Sequence, residues 1–212
     1  MREPVGGGIS GTCSVARAAI VLAAGPSSRM GSPKALLPWD GTTLVGYAIG
    51  ELRAAGASTI VVVLGADADR VRLALPAAPD LVVALNPQYA AGRSSSVRAG
   101  TRALPADAAV VIQSVDQPCP ATVIEQLYGA VETTGADIVV PVFEGRRGHP
   151  VCVSGRLLPE LATVREEDQG LRSLVHRHAD TTLEVPVPTA AILLNLNDPA
   201  AYEAAYAARG SP

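Results

Sequence analysis

Lysine is all but absent from these 212 residues: Lys and Arg total 17, and Lys34 is the only lysine. Aromatic residues are scarce as well, 3% against 48% hydrophobic, so any core must be packed with Ala, Val and Leu. Cys13, Cys119 and Cys152 stand far apart with no Cys-x-x-Cys spacing, which argues against a disulfide framework and against a zinc site. There is no block of like charge, and a formal net charge of −3 offers little to nucleic acid or to an anionic membrane surface. The apolar runs fall short of the ~20 residues that a membrane span requires. Met1-Arg2-Glu3-Pro4 followed by Gly6-Gly7-Gly8 lacks the apolar stretch of a secretory signal. The expectation is a cytoplasmic protein, with residues 1–15 a flexible lead and residues 16–212 a single domain.

What is present is a series of short aliphatic runs alternating with helical stretches. Ala18–Leu22, Ile60–Leu64, Leu81–Leu85, Ala108–Ile112 and Ile138–Phe143 read as strands, most of them apolar throughout, as in a parallel sheet covered on both faces. Between them, helices are expected from the Thr42-Thr43 cap to about Ala55, from Asp67 to before Pro76, over Gly92–Leu104 and over Thr122–Val131. Glu144–Gly148 makes a hairpin-like turn, with Val151–Val153 returning from it as a local antiparallel strand. Two short helices, around Gly155–Ala162 and Gly170–His176, precede Thr182–Val187, the apolar Ile192-Leu193-Leu194 and a terminal helix from about Pro199. The fold class is α/β, a mostly parallel sheet with helices on both faces.

The chemistry concentrates where strands end. After Leu22-Ala23-Ala24-Gly25 comes a loop of Gly, Ser and Pro that carries Arg29 and Lys34. Small residues let a phosphate approach backbone N–H groups, and fixed cations neutralise it. A compact ammonium differs from the planar guanidinium used elsewhere in the chain, so the single lysine draws attention; the plain alternative is a surface loop with a chance lysine. No Gly-x-x-x-x-Gly-Lys-Ser/Thr run and no Gly-x-Gly-x-x-Gly fingerprint is present. Asp116, before Gln117-Pro118, fits either a turn cap or a carboxylate for Mg²⁺ at the mouth of the sheet. Asn86-Pro87 and Ser94-Ser95-Ser96 fit a turn and helix cap, or a ligand contact. His149 in Gly148-His149-Pro150 fits a hairpin histidine or a site residue. Arg146 and Arg147 read as a solvated turn, and His176 and His178 as helix-end charge.

Leu22–Lys34 resembles the signature of the MobA-like nucleotidyltransferases, Leu-Ala-Ala/Gly-Gly-x-Ser-x-Arg-Met-Gly-x-Pro-Lys, at every fixed position. The likeness continues through Asn86–Gly100, Asp116-Gln117-Pro118, Gly148-His149-Pro150 and Leu194–Pro199. It implies a three-layer α/β/α fold with a seven-stranded sheet, order 3-2-1-4-6-5-7 and one antiparallel strand. It also implies transfer of a nucleoside monophosphate from an NTP to an acceptor phosphate. By the resemblance, Leu22, Ala23, Ala24, Gly25, Ser28, Arg29, Lys34, Asn86 and Ser96 would bind nucleotide, with Arg29 and Lys34 catalytic. Gln117 and His149 would face the acceptor, and Asp116 and Asn197 would hold Mg²⁺ or Mn²⁺. Two departures stand out: Val115 replaces a small residue, and with Asn at 195 and 197 the chain lacks the second metal-site carboxylate. Leu-Ala-Ala-Gly is the cytidylyl form of the motif, which favours CTP and a molybdopterin-type acceptor, with a molybdoenzyme or its chaperone as partner. Alternatives on the same scaffold are an NAD(P)H-dependent reductase of a heteroaromatic compound, a sugar- or alditol-phosphate nucleotidyltransferase and a cofactor-binding chaperone.

Overall fold

The structure is a computed structural model and describes residues 15–28 and 30–209. The lead expected over residues 1–15 therefore falls almost wholly outside the described residues, as do Arg29 and Cys13. Seven strands form the body of the sheet: β1 (Arg17–Ala23), β2 (Thr59–Leu64), β3 (Leu81–Leu85), β4 (Ala109–Ser114), β5 (Ile138–Phe143), β6 (Val151–Val153) and β7 (Thr182–Pro186). Their spatial order is β3-β2-β1-β4-β6-β5-β7, the order that the resemblance implies. All neighbours are parallel except β6, which runs antiparallel to both β4 and β5. The turn after β5 differs in detail from a simple hairpin. The two-residue strand Arg146–Arg147 folds back on β5 and makes the sheet eight-stranded, and the chain then crosses to insert β6 between β5 and β4.

Both faces of β1 are covered, which is why its sequence shows no alternation. Ala19 and Val21 face a layer containing Trp39, Leu52 and Tyr128, while Ala18 and Ile20 face one containing Val97, Leu161 and Leu174. The first layer is built by helices α1 (Leu44–Ala54) and α4 (Ala121–Thr134), the second by α3 (Arg93–Thr101) and the short α5 (Leu158–Leu161) and α6 (Leu171–Arg177). A short α2 (Ala68–Leu73) links β2 to β3, and α7 (Pro199–Arg209) closes the chain. Thr43 caps α1, its Oγ1 accepting from Gly46 N at 3.1 Å. Gly56 follows that helix at φ +85°, a conformation that favours glycine. Ala190–Leu193, which includes part of the apolar Ile192–Leu194 run, is a 3-10 turn rather than a strand. Among the described residues no helix is long and apolar enough to cross a membrane.

Helix α3 lies close on the sheet because Gly100 faces it. A Cβ there would come within 2.7 Å of Ile20 Cγ2 and 3.0 Å of Val63 Cγ2, both on fully buried side chains. Gly50 in α1 faces open space instead. Gly→Ala gains about 1 kcal/mol of helix propensity at either position, but overpacking costs about 1–3 kcal/mol where there is no room. Gly50→Ala is thus expected to raise the urea midpoint and Gly100→Ala to lower it. Shifts of the same sign in the two variants would contradict this account of the packing.

Candidate active site

The strand order reverses at β1, with β2 on one side and β4 on the other, and the crevice outside the carboxyl ends of strands at such a point is where open α/β sheets bind ligands. A cleft of about 280 Å³ opens there. Its walls come from the end of β1 (Leu22, Ala23, Ala24, Gly25), the loop residues Ser27 and Lys34, and the end of β4 (Ser114, Val115, Asp116). Further along lie Asp67, Tyr89 and Ser96. A Cβ on Gly25 would meet no atom within 4 Å, so the missing side chain leaves the cleft wall open beside the loop backbone.

Lys34 is set into this cleft by its local sequence. Pro33 holds an extended turn (φ −57°, ψ 120°) and Lys34 begins a 3-10 turn whose backbone N–H donates to Ser27 Oγ at 2.7 Å. Its Nζ donates to Asp116 Oδ2 at 2.5 Å and to Asn197 Oδ1 at 2.9 Å. These three residues are separated by 82 and 163 positions in sequence, yet meet at one point. The Asp116 main chain is tied to the closing motif, its C=O accepting from Leu196 N at 2.9 Å. Both sides of the junction are also pinned by aromatic packing. Trp39, fully buried, lies 6.4 Å from the rings of Tyr202 and Tyr206, and Tyr202 donates its hydroxyl to Pro38 C=O at 2.7 Å. Four of the chain's few aromatic residues, with Tyr47, thus fix the loop after Lys34 against the helix after Asn197.

The donor set of Asp116 and Asn197 suits a hard cation. One carboxylate and one carboxamide oxygen converge on the same point, and Mg²⁺ typically takes one or two carboxylates and completes its shell with substrate phosphates and water. Among the described residues no group of three or more His, Cys, Asp or Glu side chains could hold a metal by itself. A tetrahedral zinc site is therefore a poor fit. A cation taking both oxygens shares Asp116 with Lys34, so the two positive charges must be accommodated together with a polyanionic substrate. The described cysteines supply no nucleophile: burial pushes the Cys119 thiol up to about 12 and raises that of Cys152 further.

Several residues expected at the ligand do not line the cleft. Ser28 is exposed and does not line the cleft; Ser27, beside it, does, and closes the loop onto Lys34. Asn86 is buried away from the cleft surface, its Nδ2 donating to Ser95 Oγ (2.8 Å) and Ser96 Oγ (2.9 Å) and its Oδ1 accepting from Gln88 N (3.0 Å). It ties the end of β3 to the first turn of α3, and only Ser96 of that pair reaches the cleft. Gln117 is likewise buried and lines neither the cleft nor the cavity beside it; its C=O accepts from Gln113 Nε2 at 3.0 Å. Val115 is mostly buried in the apolar layer beneath the cleft. Ala24 has no positive φ, so this turn does not itself demand glycine there.

A second and larger cavity, about 770 Å³, adjoins the cleft. His149 lines it, half-buried, its backbone N–H donating to Ile192 C=O at 2.8 Å. Burial, then the charges of Arg93 and Arg172, hold its pKa below the usual histidine value against the opposing pull of Asp116, so the ring is neutral at pH 7. Arg147, at the same cavity, is engaged with Glu184 at 2.6 Å. His178 pairs with Glu160 at 3.0 Å, away from this cavity, while His176 lines it. Three polar residues here were not singled out by the sequence reading. Glu166 accepts from Ser94 N at 2.8 Å, and Arg93 and Arg172 face the cavity. The Gly92-Arg93 pair opening a helix was a usable signal; Glu166 and Arg172 sit in an ordinary polar stretch and offered none.

Sheet order, crevice and loop together define a nucleotidyltransferase fold. The model of the MobA-like NTP transferase domain matches residues 19–182, and the chain belongs to that family. It is 32% identical over 160 residues, 72% of this chain, to 78% of a nicotine blue oxidoreductase of Paenarthrobacter nicotinovorans. It is 30% identical over 207 residues to a molybdenum cofactor guanylyltransferase of Sinorhizobium fredii, covering 92% of this chain and 91% of that protein. The molybdenum cofactor cytidylyltransferase of Escherichia coli K12 is 30% identical over 135 residues, 64% of this chain and 68% of that one. Among solved structures, Rv0371c from Mycobacterium tuberculosis H37Rv superposes with a TM-score of 0.79 at 27% identity, covering 92% of this chain and 99% of that one. A complex of Rv0371c with manganese superposes at 0.65 and 26% identity, over 82% of this chain and 89% of the other.

Proposed function

We propose that the chain transfers a nucleoside monophosphate, CMP from CTP in preference to GMP from GTP, onto the phosphate of a molybdopterin-type acceptor and releases pyrophosphate. The observation that carries this reading is the meeting of Lys34, Asp116 and Asn197 at the cleft floor, next to the Gly25 loop. Transfer at phosphorus depends on positioning and charge neutralisation more than on covalent help from the protein. In this reading the loop amides with Arg29 hold the triphosphate, and Lys34 stabilises charge that grows at the α-phosphate. A divalent cation, Mg²⁺ or Mn²⁺, held by Asp116 and Asn197 would neutralise phosphate charge. Neutral His149 offers the acceptor a hydrogen bond in the larger cavity. The product would pass to a molybdoenzyme or its chaperone.

The nucleotide preference rests on Ala24, a residue of the cleft wall: where the base lies against this turn, its methyl would take up room that a purine needs. A methyl-sized difference is worth about 1–3 kcal/mol, a clear preference without absolute selection. With CTP and GTP at equal concentration, CTP turnover is expected to dominate, and Ala24→Gly to narrow the ratio. Preferred use of GTP by the unaltered protein would defeat the assignment. The 32% identity to a nicotine blue oxidoreductase favours one second reading, reduction of a heteroaromatic compound. That activity would consume NADH or NADPH, and it would be indifferent to divalent metal and to Asp116→Ala.

A further inference from the structure

We infer that Arg93 and Arg172 form a clamp at the neck between the cleft and the larger cavity, and that this clamp selects an acceptor ending in a phosphomonoester dianion. Its place in catalysis rests on the transferase reading. Among the described residues Arg93, the first residue of α3, is the one that lines both spaces, and Arg172 lines the larger one. Neither guanidinium makes a hydrogen bond or ion pair among the described residues, whereas the cavity's third arginine, Arg147, is held by Glu184. The single carboxylate at the cavity, Glu166, already accepts from Ser94 N. Arg93 sits deep in the wall: desolvation depresses its pKa, the charges of Asp116 and Glu166 oppose, and Arg172 adds a smaller push downward. Guanidinium groups lining one cavity without a hydrogen-bonded partner are a cost that an anion would relieve, and planar guanidinium groups match phosphate oxygens in pairs.

The step follows from the placement. An acceptor phosphate on Arg93 stands at the entrance to the nucleotide cleft. One of its oxygens attacks the α-phosphorus; as that P–O bond forms, the bond from α-phosphorus to the α,β-bridging oxygen breaks, and pyrophosphate leaves with the electron pair. A dianionic phosphate gives up no proton in this step, so no base is required and a neutral His149 suffices. Val97, Val140, Leu171 and Val175 line the same cavity and give the body behind the phosphate an apolar wall to rest on.

Phenyl phosphate is a suitable probe, and methyl phenyl phosphate, with the same ring and one charge fewer, is its control. Titrated into the full chain and followed by arginine side-chain ¹H–¹⁵N signals and calorimetry, phenyl phosphate is expected to shift Arg93 and Arg172. Arg172→Gln and Arg93→Gln should each weaken it tenfold or more, with Arg172→Lys recovering part. The diester should bind wild type no better than it binds Arg172→Gln. Binding within twofold of wild type in both glutamine variants, or equal binding of the diester, would overturn the clamp. Should a variant fail to fold, the wild-type signals decide: shifts confined to other arginines overturn it. If phenyl phosphate binds as expected but no acceptor yields pyrophosphate, the clamp stands and the transferase reading fails.

Discussion

Lys34→Ala is expected to keep the fold and to lose transfer activity by a factor on the order of 10²–10³, the usual cost of one preorganised charge at a transition state. The fold should survive because the Lys34–Asp116 pair faces the cleft, with 17% and 14% of the two side chains exposed, so water can reach the carboxylate left behind. Removing a partner from a fully enclosed ion pair would be far more damaging. Lys34→Met separates charge from stem: it keeps the apolar packing and should be as inactive as Lys34→Ala. Because Nζ shares Asp116 with any bound cation, Mn²⁺ affinity in the absence of nucleotide should not fall in either variant, and a rise is expected. Turnover within a few-fold of wild type would remove the role given to the only lysine.

Asp116→Ala should abolish metal-dependent nucleotide binding and reduce turnover at least as far as the lysine variants. Among the described residues Asp116 is the one carboxylate that meets Lys34 Nζ, and a cation left with Asn197 alone would have one neutral ligand from this pair. Asn197→Ala should cost less, on the order of 10–100-fold, as for loss of a supporting partner at a metal site. Mn²⁺ titration followed by electron paramagnetic resonance gives both affinities. The reverse order of effects would place the cation on the closing motif and leave Asp116 as an anchor for Lys34.

The sheet was legible because its signal is local. A run such as Ala18–Leu22, apolar at every position, has few outcomes other than a strand covered on both sides, and Gly56 and the Thr43 cap mark element ends by backbone chemistry. The inserted β6 was only half legible: the return after Gly148 could be read, but not that two residues would pair with β5 before the chain crossed to β4. The cleft floor is a different case. No local pattern says that Lys34, Asp116 and Asn197 meet; only the motif resemblance joined them, since each sits on a separate loop. The residues expected at the ligand that do not line the cleft share a feature. Choosing Ser28 over Ser27, and placing Asn86 and Gln117 at the ligand, required knowing where side chains point in turns that periodicity does not govern. There the protein's own polar groups claimed them: Ser27 for Lys34 N, Asn86 for Ser95 and Ser96. Arg172 was invisible for the complementary reason, that a chain whose cations are nearly all arginine gives no hint which of them lacks a partner, and for Arg93 only its place after Gly92 hinted at a role.

The most direct measurement is ³¹P NMR of the 212-residue chain with Mg²⁺, CTP and a molybdopterin-type acceptor. The account predicts stoichiometric pyrophosphate and a new phosphorus pair from the joined phosphates, formed only with divalent metal and abolished in Asp116→Ala. No pyrophosphate, together with metal-independent loss of NADH or NADPH absorbance on a heteroaromatic substrate, would contradict it.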